Sequence, residues 1–76
     1  MEKIQIGCDK IVAAELVRQI TGAPSLSMAR SVITTCEVTV NGVPVEMSDE
    51  IFLGEEPKEV VITNGKGKAK TWMVGK

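Results

Sequence analysis

The stretch SLSMARSVITTCEVTVNG, residues 25–42, constrains the fold more than any other part of the chain. Its first half carries apolar residues at helical spacing. Its second half alternates as a strand and stops at Asn41-Gly42, the strongest short-range signal for a tight hairpin. Nothing separates the two halves, so a short helix must run directly into a hairpin strand. At about two to three turns that helix cannot hold itself without tertiary packing. Ser25 or Ser27 can cap its start, and Met28, Ala29, Val32 and Ile33 are expected to face inward. Val38, Val40, Val43 and Val45 flank the turn, and Pro44 suits an edge strand, where its missing donor costs little.

The rest of the chain supplies partners for this unit. Ile4-Gln5-Ile6 alternates as a short strand before Gly7. Asp9 can cap a helix predicted over residues 10–21, in which Val12, Leu16 and Ile20 recur every fourth residue, with Ala13 and Val17 beside them. Gly22 is a left-handed stop, and Pro24 prevents continuation. Residues 47–58 read mostly as loop with a short apolar patch at Ile51, Phe52 and Leu53. Residues 59–63 form a strand, Asn64 to Gly67 a turn, and a last strand ends near Val74. The predicted class is α+β: two short helices packed on a small antiparallel sheet, in one domain spanning residues 1–76.

With 76 residues, a single core is the most the chain can build. At 43% hydrophobic and 25% charged residues it is too apolar for a disordered tail. No run suits a membrane span or a secretory signal, so the sequence reads as cytoplasmic, with no membrane partner. Cys8 and Cys36 are far apart, and histidine is absent. Two reduced, buried thiols are expected, and no metal or other cofactor.

Net charge is −1, which gives no whole-molecule argument for nucleic acid. Its distribution says more. Glu46, Asp49, Glu50, Glu55, Glu56 and Glu59 face only Lys58, whereas Lys66, Lys68, Lys70 and Lys76 close the chain with no acid among them. No residues are arranged for catalysis. Cys36 follows a helix but adjoins Glu37, Asp49 and Glu50 lie among solvated acids, and GKGK lacks the spacing of a phosphate loop. The chain is not read as an enzyme.

Two anion-binding constellations survive. At the second helix, unpaired amides, the Ser25 and Ser27 hydroxyls and Arg30 one turn inside can grip a phosphate. The plainer alternative is that the serines only cap and Arg30 is solvated. In the closing hairpin, Lys66, Lys68 and Lys70 share a face with Trp72 if strand geometry continues, which would set cations beside an aromatic plane. There the alternative is a solvated turn with Trp72 in the core. Binding by both constellations at once requires that Arg30 and the lysines lie on one continuous cleft or ridge.

The pattern Ser25, Ser27, Ala29, Arg30, Val32, Ile33, Val38, Val40, Asn41, Gly42 resembles the small RNA-binding domain named after ribosomal small-subunit protein S-four, with its alpha-L motif. The preceding LVRQITGAP looks like its first helix and exit. The closing VVITNGKGKAKTWMV is similar to the end of the version appended to bacterial tyrosyl-tRNA synthetases. The resemblance covers about residues 9–74. It implies two short helices packed on a small, bent antiparallel sheet, and a translation-related module that holds structured RNA, tRNA or rRNA, by shape and backbone, with Ser25, Ser27 and Arg30 on one phosphate, Lys66, Lys68 and Lys70 along the adjacent backbone, and Lys10 assisting from the first helix. Family members add basic residues within this motif where the present chain has Leu26, Ser31, Thr34, Thr35 and Thr39, so each absent contact weakens the expected binding. A second function class follows from the same departures and the acidic segment: a domain that kept the scaffold but contacts a protein partner through residues 46–59; an exposed apolar patch around Ile51 to Leu53 would favour it, and a continuous positive patch joining Arg30 to the closing lysines would favour RNA.

Overall fold

A computed structural model of the protein describes residues 2–76. Among them the order is β1 (Glu2–Gln5), β2 (Lys10–Val12), α1 (Ala13–Thr21), α2 (Leu26–Thr35), β3 (Glu37–Val40), β4 (Val43–Pro44), β5 (Glu50–Phe52), β6 (Lys58–Thr63) and β7 (Ala69–Gly75). The class is α+β, with both helices packed on a five-stranded sheet of order β1-β7-β6-β3-β4 beside a small β2-β5 sheet. All pairings are antiparallel except β1 with β7, which run parallel. That parallel edge goes beyond the all-antiparallel expectation. A strand can take it because the residues between β1 and β7 supply the long crossover that parallel neighbours require.

The sheet face under the helices follows from register. Val40, Val60 and Trp72 stand in one row across β3, β6 and β7, and Val38, Ile62 and Lys70 in the next. Leu16, Val17, Ile20 and Ala29 from the helices close over these rows, together with Ile11, Ile51 and Leu53. Leu16, Val17, Val60 and Val74 are fully buried. Each such side chain contributes roughly 1.5–3 kcal/mol of burial, which a domain this small needs. Trp72, only 4% exposed, is a core residue, as the plainer reading held.

The hairpin signal at Asn41-Gly42 is realised. Both residues have positive φ, 52° and 82°, the mirror-image turn that matches strand twist. Asn41 is fastened further: its amide donates to the Glu59 carbonyl (2.8 Å), and its Oδ1 accepts from the Glu59 amide (2.9 Å). Pro44 lies on the edge strand. At the end of α1, Gly22 takes the left-handed conformation and returns its amide to the Arg18 carbonyl.

Three local expectations are corrected. The first helix does not begin at Lys10. Residues 10–12 form β2 instead, because Ile11 can be buried against Ile51 while the backbone pairs with β5, and that long-range ladder overrides the helical spacing of Val12 with Leu16. Asp9 accordingly caps nothing. The first amides of α1, on Ala13 and Ala14, donate to the carbonyls of Asp49 (2.8 Å) and Met47 (3.2 Å), so a distant loop does the capping. Met28, expected inward, is 54% exposed; the buried stripe of α2 runs through Ala29 with Val32, Ile33 and Cys36 packed against the core. Cys8 is exposed, contrary to the expectation of two buried thiols, and Cys36 is half-buried.

Candidate nucleic-acid interface

The two expected anion sites lie in two different clefts. Ser25 is the cap of α2, its Oγ accepting from the Met28 amide at 3.4 Å, and Ser27 sits exposed in the first turn. Arg30 is exposed, and its side chain borders a groove of about 610 Å³ together with Val12, Ala14, Glu15, Leu26, Met47 and Ser48. Among the described residues no carboxylate lies within salt-bridge distance of Arg30. The hydroxyls of Ser31, Thr34 and Thr35 turn back to helix carbonyls: Ser31 to Ser27, Thr34 to Arg30 and Ser31, Thr35 to Ser31.

The closing hairpin forms the second cleft. Asn64 organises its turn, Oδ1 accepting from the amides of Lys66 (2.9 Å) and Lys68 (3.1 Å) while the Asn64 amide donates to the Lys68 carbonyl. This small Asx-type turn presents Lys66 and Lys68 at the tip, both exposed. Lys68 and Lys70 then line a cleft of about 240 Å³ with Thr21, Ile62 and Trp72. Lys70 Nζ lies 5.3 Å from the centre of the Trp72 ring, a cation–π contact, and 3.4 Å from Glu2. Trp72 Nε1 is buried without a hydrogen-bond partner. Lys66 and Lys68 have no acidic partner among the described residues. The indole is not available as a stacking platform, because the core covers it.

The expectation of one continuous cleft is therefore not met as stated. The Arg30 groove and the lysine cleft share no lining residue. They are joined by α1, which contributes Glu15 to the first and Thr21 to the second, about 9 Å apart along the helix axis at the usual rise. The carboxylate between them is neutralised. Glu15 accepts from Arg18 Nε (2.9 Å) and Nη2 and from Gln19 Nε2 (3.2 Å), and these hydrogen bonds, Arg18 first, hold its carboxyl down to about 2. The Arg18 guanidinium is raised by the same contact, so the pair behaves as one neutral unit.

Lys10 does not assist from the first helix. It belongs to β2 and reaches Glu50 Oε2 at 3.3 Å on the neighbouring strand, a cross-strand ion pair. At the other end of the chain Lys76 pairs with Asp9, whose carboxyl is lowered, and whose partner's ammonium is raised, by that hydrogen bond. The apolar patch expected around Ile51 to Leu53 is also dissolved by the fold. Ile51 (6%) and Leu53 (5%) are in the core and only Phe52 (65%) faces out, since alternate residues of β5 point to opposite sides. What sequence reasoning missed is the apolar lining beside Arg30. Val12 had been read as a core residue, and only strand formation at 10–12 turns it outward, next to Leu26.

Among the described residues no cluster of three or more His, Cys, Asp or Glu could hold a metal ion, and no helix is long and apolar enough to cross a membrane. No family model matches the chain, and neither a curated protein nor a solved structure matches it.

Proposed function

We propose that this chain is a non-enzymatic, cytoplasmic RNA-binding module of the S-four-like type, working in translation on structured RNA, tRNA or rRNA, whose backbone it contacts weakly. The observation that carries the reading is the sorting of its cations. Among the described residues, Arg30, one turn into α2, and Lys66 and Lys68 at the hairpin tip have no carboxylate partners, nor do Lys3 on β1 and Lys58 on β6, while Lys10, Arg18, Lys70 and Lys76 are held by Glu50, Glu15, Glu2 and Asp9. Free cations on an exposed helix start and an exposed hairpin can neutralise phosphates and release counterions; paired cations must first give up a partner. Lys66 and Lys68 track the backbone, with Lys70 behind them, and Ser25, Ser27 and Arg30 hold a further phosphate across α1. The two free thiols, Cys8 and Cys36, fit a reducing compartment.

The test is titration of the ¹⁵N-labelled chain with tRNA at low salt, alongside filter binding of wild type and Arg30→Glu. Shifts confined to residues 25–31 and 64–70 are expected. Arg30→Glu should weaken binding at least about fivefold, with an unchanged spectrum elsewhere, because one phosphate contact is lost and a repulsion added. Absence of any response at both places would remove the reading.

A further inference from the structure

We infer that the groove between the start of α1 and the first turn of α2 is a docking site for a protein segment bearing adjacent aliphatic side chains and a carboxylate. The floor of the groove is Ala14, and its walls are Val12 (44% exposed), Leu26 (41% exposed) and half-buried Met47. Its volume of about 610 Å³ admits several side chains. Phe52, 65% exposed, lies on the same outward face of the β2-β5 pair as Val12, opposite Lys10, but does not line the groove.

Charge complementarity selects the occupant. Of the two charged residues that line the groove, Glu15 is tied to Arg18. Arg30, one turn into α2, is the other, and it borders the apolar walls without an acidic partner among the described residues. A phosphate held by Ser25, Ser27 and Arg30 leaves Val12, Leu26 and Met47 uncovered, since a nucleic-acid backbone brings no aliphatic groups to bury against them. A polypeptide can bury two aliphatic groups on the walls and place a carboxylate in the fork of Arg30, satisfying both halves of the site. This site stands independently of the RNA reading. Arg30 is the residue both would use, so Val12 and Leu26 are the ones that tell them apart.

The experiment is selection of short random peptides on the intact chain, then fluorescence anisotropy titration of the most enriched peptide against wild type, Leu26→Ser and Val12→Ser. Both positions are exposed, so the fold is retained, and Trp72 fluorescence checks this. Enriched peptides should share paired aliphatic residues next to Asp or Glu, and each substitution should weaken them at least about tenfold while tRNA affinity stays within about twofold. Failure to enrich any peptide overturns the inference, as does binding indifferent to both substitutions. An equal loss of tRNA affinity in Leu26→Ser also overturns it, by giving this face to RNA.

Discussion

The salt dependence of RNA binding is the quantity that the sorting of cations predicts most sharply. If only Arg30, Lys66 and Lys68 contact phosphates, the slope of log K against log salt is about −2 to −3, taking 0.7 to 0.9 per neutralised phosphate. Were Lys10 and Lys70 also free to engage, as the sequence suggested, the slope would steepen to about −3.5 to −4.5. Their ion pairs with Glu50 and Glu2 are the physical reason for the smaller figure. Between 50 mM and 200 mM salt, the shallow slope corresponds to an affinity loss of roughly 20- to 40-fold. The double substitution Lys66→Gln, Lys68→Gln should lower the slope by about 1.4 to 1.8 and leave the fold intact, since both side chains are exposed and the turn is held by Asn64 through backbone amides. Filter binding of tRNA across a salt series measures it. A slope unchanged by the double substitution would refute the assignment of the hairpin, and a wild-type slope steeper than about −4 would refute the claim that ion-paired lysines stay out of the interface.

Leu16→Ala, at a position 1% exposed, should cost about 3 kcal/mol in urea unfolding followed by Trp72 fluorescence, a large part of the roughly 4–11 kcal/mol a domain of this size commands; Leu26→Ala, on the surface, should cost under about 1. Asn41→Ala should cost about 2 kcal/mol in the same assay, because it removes the acceptor for the Glu59 amide and places a Cβ without a local hydrogen bond at φ 52°. Glu15 binds its proton less readily folded than unfolded, so its contribution is fully present above its ordinary 4.5, shrinks as pH falls, and is gone below about 2; unfolding free energies measured from pH 6 to pH 2 should show this decline in wild type and a smaller one in Glu15→Gln.

Whatever depends on spacing alone was legible in the sequence. The helix after Ser25, its passage into β3, the mirror-image turn at Asn41-Gly42, the edge position of Pro44 and the two closing strands all follow from periodicity and turn chemistry, which act between near neighbours. The candidate residues Ser25, Arg30, Lys66 and Lys68 were found the same way, because residue type and position within an element suffice to name them. Whether a cation is free is a different question. Lys10 and Lys70 were indistinguishable from Lys66 and Lys68 until Glu50 and Glu2 were brought beside them.

The amino-acid order by itself determined an α+β domain with a helix-to-hairpin unit and a basic closing turn, since those properties are written in contacts a few residues long. Tertiary structure alone decided that residues 10–12 pair as a strand with 50–52, that carbonyls of residues 47 and 49 cap α1, and that Val12 faces outward beside Leu26 and Arg30. Each of those outcomes turns on a partner more than thirty positions away or on burial that no local pattern encodes, and a long-range ladder that buries Ile11 against Ile51 outweighs a helical propensity worth only tenths of a kcal/mol per residue.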